Sequence, residues 1–169
     1  MKLKFFNSFA LLLLFTLTTS PFSWAKDSSY SSVYTSVKEK DCQVLEQGRD
    51  SSVSKCPSQG VYQLFFHHGD ARDWLVIKKA GKIVIELYED ILYKAPGNFP
   101  EIPGPMEWRS KGKSLTALIF RVFGSSVDGQ QKKSKLFVVK LEGNKACLIG
   151  TTTSNKQAIK IADSRKKCP

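Results

Sequence analysis

Short apolar runs separated by turn residues recur along the chain. Runs rich in branched and aromatic residues cover residues 61–67, 73–79, 83–88, 115–123, 135–141 and 146–151. Runs of this length and composition favour strands over helices, and we expect a further short strand over residues 32–37. The run 115–123 is apolar on both faces except at Thr116 and Arg121, which predicts a central strand.

Turn residues join two pairs of these runs into predicted hairpins. The sequence Ala-Gly-Lys at 80–82 separates the second and third runs, and Glu-Gly-Asn at 142–144 separates the last two. Each turn contains a glycine, which favours the tight connections of antiparallel strands. The pattern therefore predicts a largely antiparallel sheet.

Residues 95–105 interrupt this rhythm with four prolines and two glycines in eleven residues. Proline lacks the backbone donor that helices and central strands need, so we expect an extended, partly polyproline-like loop. A stiff loop loses little entropy on docking, which makes its apolar residues Phe99 and Ile102 candidate binding residues. The alternative is a loop that folds its apolar groups back over the open end of the sheet.

A C-terminal helix is predicted over residues 155–167. Ser154 or Asn155 can cap its first turn, and Ala158 and Ile161 lie on one apolar face. Together these features predict a mainly β (α+β) fold. We expect a curved antiparallel sheet, forming a half-barrel or a sandwich, with the C-terminal helix packed on it.

Residues 1–25 have the three parts of a secretory signal peptide. Two lysines precede a short apolar run over residues 5–17, and Ser-Trp-Ala at 23–25 supplies the small residues that a signal peptidase reads. The alternative is a membrane anchor, but a spanning helix needs about 20 apolar residues. We therefore expect export, a flexible leader over residues 26–33, and a single disulfide-braced domain over residues 34–169.

The four cysteines all lie beyond the predicted signal peptide. An even number in an exported chain indicates disulfides. Of the three pairings we favour Cys42 with Cys56 and Cys147 with Cys168, because the members of each pair are close in sequence. The alternative is a zinc site, which is disfavoured because no C-x-x-C spacing occurs. The sequence indicates no metal and no cofactor.

Catalytic signatures are sparse in this chain. It contains no G-x-S-x-G turn, P-loop, dinucleotide fingerprint or H-E-x-x-H motif. His67 and His68 are adjacent, so on a strand they point to opposite faces and cannot bind one metal together. His68 and Asp70 would share a face if the strand continued, which makes them a candidate acid–base pair. The residues permit an enzyme but do not indicate one.

Asp70 and Arg72 are two residues apart, so their side chains can pair in an extended chain. One interpretation is a surface ion pair on a turn, contributing at most about 1 kcal/mol. The other is a ligand-facing arginine that Asp70 holds in place, which would make both residues part of a binding site. We favour the first because loop ion pairs are common and usually structural.

A pattern around these residues resembles a group of small exported bacterial proteins whose role is not assigned. Cys42 is followed by C-P-x-x-G-x-Y at residues 56–62, an apolar strand, and G-D-x-R at residues 69–72. Glu-Trp-Arg at 107–109 and a terminal cysteine after a basic helix add to the likeness. The resemblance implies bacterial export and supplies no catalytic residue.

Basic residues outnumber acidic ones. Beyond residue 25 there are 24 Lys and Arg against 15 Asp and Glu, a formal net charge of +9. The candidate binding surface contains Lys156, Lys160, Arg165, Lys166 and Lys167. The first two are one turn apart on the predicted helix, and the last three are expected in its final turn, where cations suit the helix dipole. The alternative is a solubilising face.

The leading hypothesis is a non-enzymatic exported binding or structural module, in the periplasm or secreted. Its partner would be an anionic envelope lipid or polysaccharide, or an acidic protein. Nucleic acid is not expected there, and no transmembrane segment is predicted after the signal. One alternative is a small periplasmic hydrolase-like enzyme using His68 and Asp70. Another is an inhibitor of an envelope-directed hydrolase.

Overall fold

The computed structural model describes residues 29–125 and 132–169. The predicted signal peptide over residues 1–25, and the first residues of the predicted leader, lie outside this range. In chain order the described residues form β1 (Tyr30–Thr35), β2 (Gln43–Gln47), β3 (Ser51–Cys56), β4 (Tyr62–Gly69), β5 (Arg72–Lys79), β6 (Lys82–Glu86), α1 (Tyr88–Lys94), β7 (Asn98–Glu101), β8 (Met106–Lys111), β9 (Ser114–Ser125), β10 (Lys132–Glu142), β11 (Lys145–Thr152) and α2 (Asn155–Ala162). Each apolar run predicted as a strand overlaps one of these strands.

The strands form two antiparallel sheets. The first has the order β1–β8–β9–β10–β11, with β7 also pairing to β9, and the second has the order β2–β3–β4–β5–β6. Both predicted hairpins are present, as β5–β6 and β10–β11. The predicted mainly β fold with antiparallel sheets and a C-terminal helix is confirmed.

Strand β9 lies in the middle of the first sheet and is buried on both faces. Leu118, Phe120 and Val122 point into the large core shared by the two sheets. Ala117 and Ile119 alternate with them and pack against α2 on the outer face. The molecule therefore has three layers: the second sheet, the first sheet and α2. The predicted central strand is confirmed.

Helix α2 begins where the sequence predicts and ends earlier. The Gln157 backbone N–H donates to the Ser154 hydroxyl (3.4 Å), so Ser154 is the N-cap. The helix ends at Ala162, and the carbonyl of this residue accepts a hydrogen bond from Lys140 Nζ (3.4 Å). The prediction that residues 165–167 occupy the last turn is wrong, because they follow the helix.

An ion pair ties the end of α2 to the first sheet. The carboxylate of Asp163 accepts two hydrogen bonds from the guanidinium of Arg109, one of them from Nε to Oδ1 (3.1 Å). The hydroxyl of Tyr30 donates to the Asp163 carbonyl (3.0 Å). After this anchor the chain turns back so that Cys168 reaches Cys147 in β11. These two constraints explain why the helix does not continue to residue 167.

Three further segments differ from the prediction. Residues 30–33, predicted as part of a flexible leader, pair with β8 as the first four residues of β1. Helix α1 was not predicted; it has only seven residues, and Ile91 is its one buried side chain. The proline-rich segment, residues 95–105, contains the short strand β7, which pairs with the end of β9. An edge position tolerates the proline of this strand because the ladder needs fewer donors there.

Both predicted disulfides are present. Cys42 bonds to Cys56 beside the second sheet, and Cys147 bonds to Cys168 across the chain segment that contains α2. No free cysteine remains. Disulfides persist in oxidising compartments, so the pairs indicate an extracytoplasmic environment.

Candidate functional site

One end of the second sheet brings together the G-D-x-R motif and the proline-rich segment. The turn between β4 and β5 has Asp70 and Ala71 at its centre, with positive φ angles of 50° and 56°. Two successive positive φ angles are the geometry of a tight two-residue hairpin turn, and aspartate tolerates it better than most residues. The turn directs Asp70 and Arg72 to the surface.

Arg72 is held between Asp70 and the proline-rich segment. Its guanidinium pairs with the Asp70 carboxylate and also donates to the Asp70 carbonyl (3.3 Å). The same group lies 5.7 Å from the centre of the Phe99 ring. The Asp70 side chain is 85% exposed, and exposed ion pairs contribute no more than about 1 kcal/mol. The pair therefore orients Arg72 more than it stabilises the fold.

His68 pairs with Asp73, and the predicted pairing with Asp70 is wrong. The register of β4 and β5 places Asp73 directly opposite His68, and His68 Nδ1 lies 2.8 Å from Asp73 Oδ1. Asp70 belongs to the turn, which removes it from the face that His68 occupies. The second carboxylate oxygen of Asp73 accepts a hydrogen bond from the Ile102 backbone N–H (2.8 Å). Asp73 thus joins the histidine to the proline-rich segment.

A serine completes a row across three strands. Ser52 of β3 lies directly opposite His68 on the side away from Asp73. Opposed residues of antiparallel strands point to the same face, so Ser52, His68 and Asp73 share one face. An adjoining open cavity of about 290 Å³ includes Ser52, Ser54 and His68 in its lining. Ser52 was not predicted, because no motif marks it and only the register of β3 with β4 reveals it.

The apolar residues of the proline-rich segment separate into buried and exposed groups. Ile102 is 2% exposed and belongs to the large core, together with Met106. The prediction that Ile102 binds a partner is therefore wrong, because the loop folds this residue inward, as in the alternative interpretation. Phe99 is 48% exposed and remains available at the surface.

The predicted basic surface lies on a different part of the molecule. Lys156 and Lys160 are exposed on α2, and Arg165 and Lys167 are exposed after it. None of these four makes an ion pair within the described part of the chain. Lys166 Nζ donates to the carbonyl of Ile149 (2.6 Å), so its ammonium group already has a partner within the protein. The candidate binding residues thus form two groups, one on the second sheet and one on α2 and the tail.

His67 points to the opposite face of β4 and packs on Trp74, with ring centres 5.1 Å apart. Burial lowers the pKa of His67 below its ordinary value of 6.5, and Lys78 acts in the same direction, whereas Glu86 opposes the change. The folded protein therefore holds His67 neutral more strongly than the unfolded chain does.

The free energy of unfolding is expected to fall as the pH decreases below about 6.5. The unfolded chain then binds a proton at His67 more readily than the folded protein, whose pKa at this residue is lowered. His67→Gln removes this contribution, so the stability of the wild type relative to the variant should decline as the pH falls. Urea unfolding of both proteins across this range measures the difference. Parallel pH profiles would contradict the expectation.

The described ranges contain neither a metal-binding cluster nor a membrane-spanning helix. No group of three or more His, Cys, Asp or Glu side chains there is placed to hold a metal ion. Of the helices in the same part of the chain, neither is long and apolar enough to span a membrane. Comparison of the chain with protein-family models, with curated proteins and with solved structures finds no match in any of the three.

Proposed function

We propose that this protein is an exported, non-catalytic module that binds an anionic component of the cell envelope, either in the periplasm or after secretion. Two observations support this function. The disulfides indicate an extracytoplasmic environment, and the exposed cations of α2 and the tail lack acidic partners among the described residues. The second observation carries the proposal.

Many acidic side chains form ion pairs with other basic residues, so the cations of α2 and the tail have no carboxylate partner within residues 29–125 and 132–169. Six carboxylates of the described residues already have a basic partner: Asp70, Asp73, Asp90, Glu101, Glu107 and Asp163. The exposed cations of α2 and the tail are among those left without an acidic partner in the same ranges, and Lys156 and Lys160 are one helical turn apart. An uncompensated group of cations raises the rate of encounter with anionic surfaces and binds them more weakly as salt is added.

Vesicles test this function directly. The oxidised protein is expected to sediment with phosphatidylglycerol vesicles at low salt, and not with phosphatidylcholine vesicles. Replacing Lys156, Lys160, Arg165 and Lys167 by glutamine should reduce the affinity at least about tenfold, because each cation near an anionic surface contributes about 1 kcal/mol. Dextran sulfate in place of vesicles tests an anionic polysaccharide in the same way.

The matched control removes the same charge from elsewhere on the surface. Lys38, Lys40, Arg49 and Lys82 are also exposed and are also three lysines and one arginine. If the control quartet lowers the affinity as much as the first quartet, net charge and not the α2 surface determines binding. Absence of binding to both anionic materials at low salt would overturn the proposal.

A second candidate function, acyl hydrolysis, has support from the row of Ser52, His68 and Asp73. Asp73 fixes the imidazole through Nδ1 (2.8 Å), as the carboxylate of a catalytic triad does, and Ser52 would be the nucleophile. No hydrogen bond joins Ser52 to His68 in the structure, so this function ranks second.

Ester turnover separates the two functions. An enzyme of this kind should hydrolyse p-nitrophenyl acetate and should lose that activity in both Ser52→Ala and His68→Ala, because the nucleophile and its base act as one unit. The vesicle binding of the same variants should remain unchanged. Ester hydrolysis equal in the wild type and both variants would remove this candidate.

A further inference from the structure

A groove lies uncovered on the outer face of the first sheet, between α2 and the proline-rich segment. Its volume is about 380 Å³, within the range of about 300–1,000 Å³ typical of small-molecule sites. Ile119 and Leu136 lie at the bottom and are only 2% and 6% exposed, Ile159 of α2 forms one wall, and Tyr34 and Pro103 contribute to the other. Tyr34 is 60% exposed and Phe123 and Ile159 are half-buried, so these three side chains supply the accessible apolar surface.

One cation of the groove has no acidic partner. The guanidinium of Arg121 donates to the hydroxyl of Ser134 (3.0 Å) and to Asn155 Oδ1 (2.8 Å). No carboxylate of the described residues lies within 4.0 Å of it. Arginine has five N–H donors, and these two contacts leave the rest of the fork free for a ligand.

The groove also contains one carboxylate, and this group is satisfied within the protein. Glu107 accepts a hydrogen bond from the Ser32 hydroxyl (2.5 Å) and lies 3.8 Å from the Arg109 guanidinium. The groove is therefore apolar with a single uncompensated positive charge at Arg121. A ligand that complements it has an apolar body and one negative charge.

We propose that this groove binds a small amphipathic carboxylate, with its apolar chain against Tyr34, Phe123 and Ile159 and its carboxylate paired with Arg121. The planar guanidinium fork matches a carboxylate through two parallel hydrogen bonds. A phosphate monoester fits less well, because it carries about −1.5 to −2 charge and would lie in the same groove as Glu107. This site is separate from the cations of α2 and the tail, so it does not depend on the vesicle-binding function.

Decanoate and decanol provide the first test, since they share an apolar chain and differ in the charge of the head group. Both are titrated below their aggregation limits while methyl NMR signals of Ile119, Leu136 and Ile159 are followed. Decanoate is expected to shift these signals and to bind at least about tenfold more tightly than decanol, the usual advantage of a charge-assisted hydrogen bond. Equal affinities, or shifts confined to other methyl groups, would overturn the proposal.

Two variants assign the preference to Arg121. Arg121→Gln should lower decanoate affinity to about that of decanol, whereas Lys133→Gln should leave it unchanged. Lys133 is an exposed cation of β10 that does not line the groove, so it controls for net charge. If Arg121→Gln fails to fold, the comparison of decanoate with decanol in the wild type still decides the proposal.

A second copy of the chain is the competing occupant. Sedimentation velocity over a range of concentrations measures self-association in the presence and absence of decanoate. A monomer that binds decanoate supports the proposal. A dimer that decanoate does not dissociate, and that protects the three methyl groups from the ligand, would contradict it and assign the groove to self-association.

Discussion

Asp163→Ala is expected to lower the free energy of unfolding by about 1.5–3 kcal/mol, the usual cost of losing hydrogen bonds between charged groups. Arg109 is only 8% exposed, and it makes two hydrogen bonds to the Asp163 carboxylate. In the variant the buried guanidinium keeps the Ser32 hydroxyl (2.7 Å) and the more distant Glu107 carboxylate (3.8 Å). Glu107 still supplies a negative charge, but neither group replaces the two hydrogen bonds that Asp163 accepts. Chemical denaturation of the variant and the wild type measures the difference.

Asp70→Ala is the control for this experiment, because it removes an aspartate whose arginine partner is not buried in the core. The Asp70 side chain is 85% exposed, so its loss should cost less than about 1 kcal/mol. Replacing Arg109 by methionine, Asp163 by leucine and Glu107 by glutamine together should recover much of the stability, since the two carboxylates that pair with Arg109 are then removed with it. Equal losses in Asp163→Ala and Asp70→Ala would contradict the role assigned to the buried pair.

The Arg109–Asp163 pair also affects both proposed binding surfaces. It fixes the C-terminal end of α2, and the hydrogen bond between Arg121 and Asn155 (2.8 Å) fixes the N-terminal end. The two arginines of the first sheet thus set the position of the helix on the sheet. The groove wall formed by Ile159 and the cations of α2 both depend on that position.

Most strands could be predicted from the sequence, because burial produced apolar runs and turn residues marked where those runs end. The alternation along β9 produces an apolar run with only Thr116 and Arg121 as polar exceptions within residues 115–123, and each exception has a structural reason. Thr116 donates to the carbonyl of Arg109 (3.2 Å), and Arg121 reaches Ser134 and Asn155. Helix α1 was missed because seven residues are too few to display a helical period.

The candidate site was harder to predict because it depends on pairing between strands. Spacing along the chain suggested that His68 faces Asp70, but the tight turn at Asp70 places Asp73 opposite the histidine instead. Ser52 joins the row only through the register of β3 with β4. The inward position of Ile102 depends on its backbone hydrogen bond to Asp73 (2.8 Å). Contacts between residues distant in sequence leave no periodic signal.

Replacing Cys147 and Cys168 by alanine is expected to lower the free energy of unfolding by about 3 kcal/mol in the chain-entropy account of disulfides. The two residues are 21 positions apart, and the chain between them includes all of α2. Without the bond, the unfolded chain gains the conformations that the closed loop excluded. Urea unfolding of the oxidised wild type and the double variant measures the effect.

The disulfide between Cys42 and Cys56 is the matched comparison, because its sequence separation of 14 closes a loop of similar size. The entropy terms of the two loops differ by only about 0.4 kcal/mol, so any larger difference must come from the folded state. Cys56 is 4% exposed and part of the large core, so alanine at this position also removes packed atoms. We therefore expect Cys42→Ala with Cys56→Ala to be the more destabilising pair. A loss below about 1 kcal/mol for the Cys147–Cys168 pair would show that the unfolded chain already keeps this loop closed.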